Sequence, residues 1–169
     1  LTRAVDLQPE DEPELLGDIY ALLGDVYNLL REYEHSDSSY ERALRLAPAN
    51  ATVLNNYGYY LSERGVRLED AERMSRQSLA IRPDEPTFLD TYGWILYKQG
   101  KYEKAESYIR KAIDSDTEAA GGTLWDHLGD IRYKLGDVSQ AVEYWIKAKE
   151  RGSENDKLDK KIKDRKLYE

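Results

Sequence analysis

Cysteine is absent from the 169 residues, so disulfides, thiol nucleophiles and cysteine-held metals are excluded, and the redox compartment cannot be read. Phenylalanine and methionine occur once each, against fourteen tyrosines, so aromatic packing must be built from rings that carry a hydroxyl. No run approaches the roughly 18 apolar residues that a membrane-spanning helix requires, and direct membrane insertion is not expected. Positive charge is also short: the net charge of −8 makes nucleic-acid phosphate or anionic lipid a poor match as main partner. No glycine loop of the kind that cradles phosphates is present, and Gly121-Gly122 reads as a spacer. With two histidines, His35 and His127, far apart in sequence, neither a metal nor another cofactor is expected.

What is present is periodic. From Pro86 to Glu118, Leu89, Tyr92, Gly93 and Leu96 recur at steps of three and four, and Ala105, Ile109, Ala112 and Ile113 do so again after Gly100. Two amphipathic helices broken by a glycine make a helical hairpin. Gly24, Gly58, Gly93 and Gly129 repeat at 34, 35 and 36 residues, each preceded by a large residue: Leu23, Tyr57, Tyr92 and Leu128. Small residues follow twelve or thirteen positions later (Ser36, Ala71, Ala105, Ala141) and again seven further on (Ala43, Ser78, Ala112, Ala148). A glycine on one helix and small residues on the other let the two approach closely. Arg31 stands where the first unit's inter-helix glycine is expected, and the turn at Gly65–Asp70 carries one extra residue.

This spacing, with Trp125-Asp126-His127-Leu128-Gly129 and Tyr20-Ala21-Leu22-Leu23-Gly24 opening units and Pro48 and Pro83 closing them, resembles the tetratricopeptide repeat. The resemblance implies an all-α fold, a right-handed α-α superhelix. Its parts would be a half-repeat at 1–9, hairpins at 17–50, 51–85, 86–119 and 122–155, and a capping helix at 156–169, forming one domain. Leu158 and Ile162, one turn apart among charges, form the stripe by which that cap would cover the last hairpin. Glu10–Glu14 reads as a solvated, proline-broken turn. Because Leu1 opens in mid-pattern, the chain is expected to be the C-terminal part of a longer one. Similarity to C-terminal arrays of bacterial proteins of this family, some of them envelope lipoproteins, suggests a bacterial source and a periplasmic setting, while the residues themselves leave the compartment open.

Carried over by position, the family's groove-facing sites fall on Asn55, Asn56 and Tyr59, on Asp90, Trp94 and Tyr97, and on Asp126, His127, Asp130 and Tyr133. Asparagine amides can pin a peptide backbone, aromatic rings give rigid apolar contact, and aspartates attract lysine or arginine. The expectation is a non-enzymatic scaffold that holds a protein or peptide segment, basic or neutral rather than acidic. The rival is a purely structural or oligomerising segment, including pairing of this fragment with itself. A hydrolase is the remote third: Asp126, His127 and Asp130 could form a general base or half a metal site, but no nucleophile stands beside them.

Overall fold

A computed structural model describes residues 13–115 and 121–168. Among them are nine helices and no strand. They are α1 (Pro13–Leu29), α2 (Tyr33–Leu46), α3 (Ala51–Glu63), α4 (Leu68–Ile81), α5 (Pro86–Lys98), α6 (Tyr102–Ser115), α7 (Gly122–Lys134), α8 (Val138–Glu150) and α9 (Leu158–Asp164). The chain divides into two compact units, Leu1–Arg82 and Pro83–Glu169, each built from two helical hairpins, the second completed by α9. No described helix is long and apolar enough to cross a membrane. The expected half-repeat at 1–9 lies outside the described residues.

The first, third and fourth hairpins close where glycine meets a residue of the partner helix. A β-carbon on Gly24 would stand 2.7 Å from the ring of Tyr40, and one on Gly93 would stand 2.7 Å from Ile109. Ser36, Ala71, Ala105 and Ala141 are all fully buried, and the Ser36 hydroxyl donates to the Gly24 carbonyl at 2.8 Å. That bond satisfies a hydroxyl that would otherwise be costly to bury.

The four turns share one backbone solution. The amides of Glu32, Val66, Lys101 and Asp137 donate to the carbonyls of Tyr27, Leu61, Leu96 and Arg132 at 2.8–3.1 Å. The residue before each donor is left-handed: Arg31 at φ 61°, Gly65 at 66°, Gly100 at 76° and Gly136 at 89°. This is the six-to-one closure that ends a helix and satisfies its orphan carbonyls. Arg31 adopts it without being glycine. The extra residue in the second turn is accommodated by Arg67, also left-handed at φ 49°.

Two expectations need correction. Pro13 and Glu14 are not part of an extended turn; they form the first turn of α1. Proline suits that place because its missing N–H would be unpaired there, and a glutamate complements the positive helix end. Gly122 is not a spacer, since a β-carbon there would lie 2.2 Å from the Ser153 nitrogen and 2.6 Å from the Ala148 carbonyl oxygen. Only glycine fits so close to another segment's backbone.

Candidate functional site

In the second unit the candidate residues come from the first helix of each hairpin. α5 supplies Asp90, Trp94 and Tyr97, and α7 supplies Asp126, His127, Asp130 and Tyr133. Steps of three and four along each helix set them on one face. The indole of Trp94 lies parallel to the Tyr97 ring at 4.6 Å and to the His127 imidazole at 4.0 Å, with Lys98 Nζ 4.9 Å from its centroid. His127 Nδ1 meets Asp90 Oδ1 at 2.7 Å. Burial disfavours an imidazolium here, but the Asp90 carboxylate, aided by Asp126 and Asp130, outweighs it and raises the His127 pKa above its ordinary 6.5.

One turn along α7 the acids are met from within the chain. Lys161 of α9, 1% exposed, places Nζ 3.0 Å from Asp126 Oδ1 and 2.7 and 2.9 Å from the two Asp130 oxygens. The Trp145 indole N–H donates to Asp130 Oδ1 at 2.8 Å, and Asn155 Nδ2 donates to Asp126 Oδ2 at 2.6 Å. Burial raises the Asp130 pKa, as does neighbouring Asp126, while the Lys161 ammonium pulls against both. Asp126 and Asp130 are therefore engaged by the chain's own ammonium, and Trp94 and Tyr97 are buried, being 8% and 5% exposed. Asp90 and Tyr133 are half-buried.

In the first unit, α3 carries Asn55, Asn56 and Tyr59. Asn55 is buried and donates through Nδ2 to Asn56 Oδ1 at 3.3 Å, while its own Oδ1 has no hydrogen-bond partner among the described residues. Asn56 and Tyr59 are half-buried. A buried amide oxygen left unpaired is costly, and an incoming N–H would relieve it.

Lys161, Trp145 and Asn155 are not among the residues to which the sequence points. Lys161 had a signal: it sits three residues after Leu158, inside the stripe expected to be apolar. In the structure Leu158 and Lys161 are the buried pair, and Ile162 is only half-buried. The described residues contain no group of three or more acids and histidines able to hold a metal ion.

Residues 17–50 and 86–118 each match a family described as the tetratricopeptide repeat. The TPR repeat-containing protein PA4667 of Pseudomonas aeruginosa is 40% identical over 85 residues, which is 49% of this chain and 14% of that protein. The type IV pilus assembly protein PilF of Pseudomonas aeruginosa is 25% identical over 156 residues, 92% of this chain and 59% of its own length. The chain thus spans less than two thirds of either relative. Among solved structures, PilW, titled a widely conserved type IV pilus biogenesis factor, superposes with a TM-score of 0.80 at 20% identity, covering 97% of this chain and 76% of that one. At that identity the likeness shows the fold alone.

Proposed function

We propose that this chain, a member of the tetratricopeptide repeat family, is a non-enzymatic scaffold that holds a segment of a partner protein against the first helices of its hairpins. Proteins of this family bind protein partners generally, and the finer reading is drawn from the side chains. The reading rests on Asn55, whose buried carbonyl oxygen lacks a donor among the described residues and lies beside half-buried Asn56 and Tyr59. A peptide N–H supplies that donor, and the neighbouring ring supplies apolar contact. In the second unit the Tyr97–Trp94–His127 stack, with Asp90, forms a further set on α5 and α7.

The acidic net charge favours a basic or neutral segment over an acidic one. His127 is held by Asp90 and stacked on Trp94, a placement that suits structure better than proton transfer to a substrate. The relative PilF of Pseudomonas aeruginosa, which carries type IV pilus assembly in its name, favours a setting in the cell envelope.

The test starts with capture of partners by the full chain and their identification by mass spectrometry. Calorimetry then compares wild type with Asn56→Ala/Tyr59→Ala. Loss of affinity by about tenfold or more is expected, in keeping with truncation of an interface anchor. Lys111→Glu, on the exposed α6 surface where Lys111 pairs with Asp84 and the Pro83 carbonyl, should leave binding intact. Equal binding by the double variant and wild type would favour the structural-segment reading instead.

A further inference from the structure

The end of the second unit holds one built site that the scaffold reading does not use. Asp126 and Asp130 present three oxygens to a single point, which Lys161 Nζ occupies at 2.7–3.0 Å. Three acceptors around one nitrogen match the three N–H donors of an ammonium, whereas a guanidinium fork pairs best with one carboxylate edge. The indole of Trp145 has its centroid 5.7 Å from the same nitrogen. The carboxylates are oriented without help from α9: Trp145 of α8 fixes Asp130, and Asn155 fixes Asp126. Two carboxylates and one ammonium leave a negative charge uncompensated, so the site favours a cation whichever segment supplies it.

Its occupant is lightly built. α9 has seven residues, far fewer than a helix needs to persist alone, so its helical form depends on being docked. It is seated by Leu158, Lys161 and, beyond the helix, Leu167, while Asp159, Lys160, Lys163 and Asp164 are exposed. Its approach turns at Gly152, left-handed at φ 77°.

We propose that the Asp126–Asp130 pair, backed by Trp145, is a binding site for a lysine presented on a short amphipathic helix of a partner protein, and that α9 is the competitor the chain supplies for itself. This rests on the scaffold reading and names its partner chemistry at this end: an apolar residue three positions before a lysine, with charge on the outer face. A partner helix offering the same pair displaces α9 at little net cost in charge, because one ammonium replaces another. An acidic or lysine-free helix leaves two buried carboxylates unanswered.

The probe is a labelled synthetic peptide with the sequence of residues 156–169, followed by fluorescence anisotropy against the full chain. In the full chain carrying Lys161→Ala the internal ammonium is gone, and the peptide should bind about tenfold or more tightly than to wild type. A peptide with Lys161→Met, and one with Lys161→Arg, should each bind that variant more weakly by about tenfold. Adding Asp126→Asn and Asp130→Asn should abolish the preference for lysine. Should the Lys161→Ala chain lack its helical circular dichroism, Leu158→Ala, which loosens the seat and keeps the ammonium, carries the same comparison. Equal binding of lysine and methionine peptides, or no gain over wild type in either chain, overturns the proposal. None of these readings depends on Asn56 or Tyr59, so failure here is distinct from failure of the scaffold test.

Discussion

Gly129 and Trp145 are pressed together so tightly that a β-carbon on the glycine would lie 2.4 Å from Cδ1 and 2.5 Å from Nε1 of the indole. The same indole nitrogen donates to Asp130. Closure of the last hairpin and orientation of the acid pair are therefore one contact.

Gly129→Ala should cost about 3 kcal/mol, at the upper end of overpacking, because the fully buried Trp145 must move and its bond to Asp130 is disturbed. Gly100→Ala meets no atom within 4 Å but holds φ at 76°, so only backbone strain of about 1 kcal/mol applies. Gly121→Ala, at the N-cap of α7 with φ −71° and nothing within 4 Å among the described residues, loses only the N-cap preference for glycine over alanine, about 0.5 kcal/mol. Urea midpoints for the three variants should fall in that order.

Arg31→Gly should stabilise the chain by a few tenths to about 1 kcal/mol. Relief of a left-handed non-glycine residue is worth roughly 1–2 kcal/mol and exceeds glycine's added freedom in the unfolded chain, roughly 0.5–1 kcal/mol. The three other hairpin turns already place glycine there. A lower melting temperature for the variant would show that Arg31 contributes through its side chain.

His127 makes stability depend on pH. Its folded pKa lies above 6.5, so the protonated ring's contribution is fully present below that value and is lost as pH rises through the folded pKa. Asp130, also raised, acts in the same direction from its ordinary 3.8 upward, because the folded state holds its proton longer. The advantage of wild type over His127→Gln should therefore be largest near pH 6 and shrink toward pH 9. Urea titrations at intervals across that range check it; an advantage that grows with pH would contradict the Asp90 pairing.

Lys161→Met should destabilise at neutral pH by about 3 kcal/mol or more, since removing one member of a buried ion pair strands the rest. The triple change Lys161→Met, Asp126→Asn, Asp130→Asn should recover part of that loss. Thermal melts of both variants, with light scattering to follow association, give the comparison. No recovery in the triple variant would mean that the carboxylates matter mainly through Asn155 and Trp145.

How far the sequence discloses all this depends on the kind of contact. Close helix approach leaves few alternatives to glycine and serine or alanine, so Gly24 with Ser36, and Gly93 with Ala105, are visible as spacing. The turn at Arg31 is visible as a departure from the same spacing. Gly122 is harder to see, because its tightest contact is the Ser153 amide, thirty-one residues later, which lies beyond the small residues that mark the period. Pro13 misleads, since a proline at the first helical position looks like a break from either side. The groove rule finds the face on which Asp126 and Asp130 lie, but it does not say what meets them; that depends on Lys161, which compositional reading treats as one more surface lysine.

The division into two units has a spectroscopic side. All three tryptophans, Trp94, Trp125 and Trp145, belong to Pro83–Glu169, and Leu1–Arg82 has none. Intrinsic emission excited at the red edge of the indole band therefore watches the second unit alone, while far-ultraviolet dichroism sums the helices of both. Coincident unfolding curves from the two signals would mean one cooperative block. An emission transition displaced from the dichroism transition would mean that the hairpins melt in stages, as nearest-neighbour arrays can. The molecule thus carries its own label for asking which half gives way first.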